Sequence, residues 1–180
     1  MRGIKTVLVL LSIPLATYAM AAPYAMAAPP PPEIAKTVTF IFLAGSDGNP
    51  QVNAQTGDFV ANGTGFFVLI PNDDKTGGYG YLITAKHVLQ SSDGSFFKRV
   101  FLRVNDKTGG SEFGAIDIVP SGPTQNVFWH DDQTVDVAVI PVLPSLDRFD
   151  FLAISPDMIK SKDDFKNTTI MAGSDVFFVG

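Results

Sequence analysis

From Lys36 onward the chain is a succession of short apolar runs, each closed by a cluster of turn residues. This pattern limits the fold more than any other feature. The runs are Thr37–Leu43 (TVTFIFL), Gly65–Ile70 (GFFVLI), Tyr79–Thr84 (YGYLIT), Arg99–Asn105 (RVFLRVN), Ala115–Val119 (AIDIV), Asp136–Val142 (DVAVIPV) and Asp175–Val179 (DVFFV). Between them lie Asn72-Asp73-Asp74, Thr76-Gly77-Gly78, Asp93-Gly94-Ser95 and Lys107-Thr108-Gly109-Gly110, all of turn chemistry. Runs of β-branched and aromatic residues at this spacing predict an all-β barrel or sandwich. Regularly alternating long amphipathic helices are absent, which argues against a doubly wound α/β fold. One short helix is expected, with Ser155 as N-cap, Pro156 at the first helical position and Asp157 in the first turn, ending before Asn167. Ala85–Gln90 (AKHVLQ) is expected to form a helical turn behind the strand that ends at Thr84.

The amino-terminal segment has a different character. Arg2 and Lys5 precede the apolar run Thr6–Thr17 (TVLVLLSIPLAT), small residues follow, and the first acid is Glu33. That order predicts a secretory signal peptide over residues 1–27. The run is too short to span a bilayer comfortably, so no stable membrane anchor is expected. YAMAAP occurs in tandem at 18–23 and 24–29, which leaves cleavage after Ala21 and after Ala27 both open. The Pro29–Pro32 run has no amide donors and predicts a stiff, extended proline-rich linker over 28–36. Loss of residues 1–27 removes two bases and no acid, moving the formal charge from −5 to −7. An acidic exported protein without a basic patch is a poor nucleic-acid binder. The absence of cysteine excludes a thiolate nucleophile and a disulfide framework.

Three short stretches could carry chemistry. His87 is one of two histidines and directly follows a strand ending in Thr84-Ala85; an imidazole there is either a packed residue or a proton shuttle. Asp136 opens the run Val137-Ala138-Val139 and is expected to be partly buried. It either caps the preceding turn, with Gln133 and Thr134 as local partners, or orients a histidine. Gly63-Thr64-Gly65-Phe66 places two glycines at a strand start, where a turn, a bulge or the close approach of another strand requires them. It lacks phosphate-loop spacing. His130, in Phe128-Trp129-His130-Asp131-Asp132, reads as a surface loop histidine, and no metal-ligand set accompanies it.

In this order the stretches resemble the amino-terminal half of the trypsin-like serine peptidases, the chymotrypsin fold. The matching motifs are Gly63–Phe66, Thr84-Ala85-Lys86-His87 and Asp136-Val137-Ala138-Val139, and the likeness runs from about Asn62 to Gly180. The resemblance implies a double β-barrel, with a first barrel over 37–148 and the start of a second over 149–180. It implies His87 as general base, Asp136 as its orienting carboxylate and protein or peptide as substrate, with no cofactor and no metal. Lys86 is expected to point to solvent. Val88 stands where cysteine-containing members have a cysteine, which fits the cysteine-free bacterial type. No Ile-Val-Gly-Gly start follows the leader. No Gly-x-Ser-Gly segment occurs, and neither Ser111 nor Ser174 has the setting of a nucleophile. The expectation is therefore an incomplete chain of an exported serine endopeptidase, inactive by itself. The alternatives are a peptidase-like binding module that has lost its nucleophile, and an unrelated sandwich with His87 and Asp136 far apart. The apolar ending Asp175–Gly180 is expected either of a truncated chain or of a terminal strand that closes a sheet.

Overall fold

The computed structural model describes residues 32–74 and 76–167. The expected leader, most of the proline run and the run Asp175–Val179 lie outside the described residues. Within them, seven strands follow one another: β1 (Val38–Leu43), β2 (Ala61–Pro71), β3 (Gly78–Thr84), β4 (Arg99–Asn105), β5 (Ser111–Asp117), β6 (Phe128–Trp129) and β7 (Ala138–Pro141). They form one sheet in the order β5-β4-β1-β2-β3-β7-β6, every neighbouring pair antiparallel. The all-β expectation holds. No described helix is long and apolar enough to cross a membrane.

β5 and β6 are consecutive in the chain yet stand at opposite ends of the sheet. Their connection doubles back on itself. Asn126 N–H donates to Val119 O at 3.0 Å, and Asn126 Nδ2 donates to Asp117 O at 2.7 Å. Laid flat, seven strands would put the outer two about 29 Å apart, whereas the chain left outside the closed loop spans at most about 20 Å. The sheet must therefore curl. Ile118 and Val127, at the two ends of that loop, are buried in one core with Ile41, Phe67, Leu82 and Ile140. The curl is not sealed: β5 and β6 do not pair, and the sheet is open.

The turns share one device. Asp74, Asp93, Asp106 and Asp132 each accept, through Oδ1, the backbone N–H and the hydroxyl of the Ser or Thr two residues on. These local bonds draw the carboxyls below their usual range, Asp93 to about 2. The β2–β3 and β4–β5 hairpins carry the same pentapeptide, Asp-Lys-Thr-Gly-Gly, at 74–78 and 106–110. Short polar side chains that mimic a backbone turn explain why strands end where these clusters begin.

Several boundaries differ from expectation. Pro32–Ala35 is one turn of helix, α1, with proline at its first position, so the extended linker does not reach residue 36. β2 starts at Ala61 because Ala61–Thr64 pairs with β1, although the segment has little apolar signal. β6 has two residues and left no pattern to read. Ser155 makes no side-chain cap, and Pro156–Met158 is only a 3-10 turn. The helix proper, α2, is Lys162–Asn167. It is capped by Ser161, whose hydroxyl accepts from Asp164 N–H while Asp164 Oδ2 accepts from Ser161 N–H at 2.7 Å. Residues 149–154, expected to open a second barrel, pack on this sheet. Phe151 meets Phe67 edge-on at 5.0 Å, and Ile154 bridges to Val68 beside β2.

Candidate active site

The site is built at one end of the β3–β7 ladder. Thr84, the last residue of β3, pairs with Ala138, the first of β7. Because the strands are antiparallel, the chain leaving β3 and the chain entering β7 emerge at the same end. The first forms the expected turn, a 3-10 turn over Lys86–Leu89 held by Val88 N–H to Ala85 O at 3.1 Å. The second carries Asp136 two residues before the pair. Forty-nine residues apart in sequence, His87 and Asp136 meet here.

They meet twice. Asp136 Oδ2 lies 2.5 Å from His87 Nδ1, and Asp136 Oδ1 accepts the backbone N–H of His87 at 3.0 Å. The ring and backbone hydrogen bonds from His87 hold the Asp136 carboxyl below the usual carboxylate range. An ionised carboxylate only accepts, so Nδ1 carries the proton and Nε2 of the neutral ring is the free acceptor. Among the described residues the imidazole has no other hydrogen-bond partner. The arrangement can take a proton at Nε2 and stabilise the resulting imidazolium through Nδ1. The two residues are within hydrogen-bond reach, not far apart as the unrelated-sandwich alternative places them.

The turn that carries His87 is fixed from β2. Asn62 Nδ2 donates to Val88 O at 2.8 Å. Gly63 lies under Val88 so closely that a Cβ there would stand 2.6 Å from Val88 Cγ2. At Gly65 a Cβ would stand 2.8 Å from Leu82 Cδ1 and 2.9 Å from Ile83 O. Thr84, buried, donates its hydroxyl to Thr64 O at 2.8 Å. The Gly63-Thr64-Gly65 stretch and the histidine, separate features in the sequence, are one packing unit. The close approach expected of the glycines occurs, and side chains of the histidine turn and of β3 make it.

Other expectations need correction. Asp136, expected to be partly buried, is about half open: the side chains of His87 and Asp136 are 74% and 49% exposed. Asp136 does not cap its preceding turn, because Thr134 bonds to Asp132 instead. Lys86 is half-buried and reaches Gln133 Oε1 at 3.3 Å, tying the histidine turn to the 131–134 turn. His130 is an exposed loop residue whose Nδ1 accepts from Asp132 N–H at 3.0 Å. Ser111 Oγ accepts from Arg103 Nε at 2.8 Å. Among the described residues no three His, Asp or Glu side chains are grouped to hold a metal ion. What sequence reading missed is the contact of Asn62 with Val88 O, since neither residue carries a chemical role in the motifs. Comparison with family models, curated proteins and solved structures finds no match.

Proposed function

We propose that the chain supplies the base and the orienting acid of an exported serine endopeptidase of trypsin-like, double-barrel fold. The observation that carries this reading is the two-point grip of Asp136 on His87, which leaves Nε2 as the one open nitrogen. In the reaction, a serine Oγ attacks the peptide carbonyl carbon while His87 Nε2 takes the hydroxyl proton. Asp136 stabilises the imidazolium through Nδ1, and the proton passes to the departing amine. Water then repeats the sequence on the acyl-enzyme, releasing the acid and the serine. The reading requires a nucleophilic serine and its oxyanion-hole amides from a second barrel, because the 180 residues hold no Gly-x-Ser-Gly segment. The curled sheet, with His87 and Asp136 at one rim, is the support for a two-barrel arrangement with the site between. By themselves the 180 residues are inactive.

The test is covalent labelling of the protein encoded by the complete reading frame with a fluorophosphonate. Labelling that disappears in His87→Ala supports the reading. The second reading is a peptidase-like binding module, favoured by the wide exposure of His87 in the described residues. A complete chain that never labels, yet keeps its fold, selects the module and ends the peptidase proposal.

A further inference from the structure

The outward side of β2, β3, β7 and β6 is apolar where a solvated sheet face should be polar. Register places Phe66, Ile83, Val139 and Phe128 directly opposite one another in a row across the four strands. Val68, Tyr81 and Pro141 form a second row beside it. Ile70 and Phe128, at the two ends of the face, are 44% and 45% exposed. An antiparallel sheet with one solvated face alternates apolar and polar residues, and an apolar outer face marks an interaction surface. On the other outer side Phe59, from the β1–β2 connection, covers Phe42, which is 3% exposed, and packs on Phe113, with centroids 6.2 and 4.6 Å away, while Phe40 and Phe59 themselves stay open.

We propose that this face is a docking surface and that its occupant is residues 168–180 of the same chain. Three observations lead there. The chain after β7 reaches the rim of this face and then its groove: Ile154 bridges to Val68 in the plane of the sheet, beside β2, and Ile159 lines the groove formed by Phe66, Val68, Ile70, Tyr81, Ile83 and Val139. α2 ends at Asn167, eight residues past Ile159. The thirteen residues that follow (TTIMAGSDVFFVG) carry one charge, Asp175, and six large apolar side chains. Extended, thirteen residues reach about 45 Å, against about 14 Å across four strands. A partner of that composition matches a face without charges. The proposal concerns the 180-residue chain by itself and is argued from the apolar face and the composition of 168–180, not from either functional reading.

The absence of native cysteine allows a direct test in the full 180-residue chain. Single variants Ile70→Cys, Phe128→Cys and Val52→Cys are alkylated with a bulky maleimide; Val52, in the β1–β2 connection, is 47% exposed and serves as reference. The expected result is labelling at 70 and 128 about tenfold slower than at 52, independent of protein concentration. Adding Phe177→Asp with Phe178→Asp, or Ile170→Asp with Met171→Asp, should restore the reference rate in a protein of unchanged circular dichroism. Labelling at 70 and 128 as fast as at 52 overturns the proposal. Protection that grows with concentration overturns it in favour of a second copy, and protection that survives both acidic pairs overturns it in favour of another segment.

Discussion

Asp132 and Asp136 are four residues apart, both exposed and both held below the ordinary carboxylate range. Asp132 is satisfied by Thr134, its backbone N–H first and its hydroxyl second, in a turn that closes on itself. Asp136 is satisfied by a residue forty-nine positions back, brought to it by the β3–β7 pairing and by contacts from β2. The bonds are of similar kind. One belongs to a turn and depends on a single neighbour; the other belongs to the fold and depends on three strands. The contrast separates a carboxylate that shapes a loop from one that can serve a reaction.

The largest effect should come from exchanging the acid at each position for its amide. Asp136→Asn keeps the shape but presents an N–H to Nδ1 and favours the wrong tautomer. Under the proposed peptidase function it should lower kcat on a peptide substrate by on the order of 10⁴. Asp132→Asn should leave kcat within about threefold, as expected of a surface change. Equal losses in the two variants would erase the distinction. Next in size is Gly63→Ala, whose Cβ would collide with Val88. Overpacking of this kind costs about 1–3 kcal/mol, read as a lower urea midpoint, and it should displace the His87 ring resonances in an NMR spectrum. An unchanged midpoint with unmoved resonances would detach β2 from the site. Thr84→Val is smaller: it removes the donor to Thr64 O and should cost about 1 kcal/mol in the same assay. Thr134→Val, which touches only the local turn, should leave the His87 resonances in place.

The smallest effect is acid sensitivity. A carboxyl whose folded-state pKa lies below its unfolded value gives stability that is complete above the unfolded value and is lost as pH falls through the folded one. Asp132 and Asp136 both have this sign. For Asp93, held at about 2 by Ser91 and Ser95, the window runs from 3.8 down to about 2. Thermal melts between pH 5 and pH 2 should show Tm falling steadily through that window, modestly because every one of these groups is exposed to solvent and salt. A Tm that is flat to pH 2 would show that the turn bonds add nothing.

The same contrast explains what the sequence made legible. The all-β class and most strand positions followed from apolar runs between turn clusters, and β4 is Arg99–Asn105 at both ends as expected. Such signals are local, like the Asp132 turn. β5 opens earlier than its apolar run because Ser111–Gly114 pairs with Leu102–Asn105 rather than because of its own composition. The curl of the sheet depends on how the 118–127 connection folds back, which no periodicity encodes. His87 and Asp136 were found by their settings in short motifs. What seats them, Asn62 on Val88 O and Gly63 under Val88, was not readable, because it is a fact of packing between segments about twenty-five residues apart. The exposure of Asp136 was missed for a related reason. An acid opening an apolar strand is expected to follow it inward, but Asp136 stands before the first paired residue, outside the ladder.

The bond from the His87 backbone N–H to Asp136 Oδ1 also sets a timescale. Exposed side chains rotate about their bonds in picoseconds to nanoseconds, and such an excursion of the His87 ring would break the contact at Nδ1. The main-chain contact is not broken by that rotation, since it belongs to a turn anchored on β2. The carboxylate therefore stays in place while the ring is away, and each return finds its partner already oriented. Recapture becomes a single rotational step of one side chain instead of a search by two.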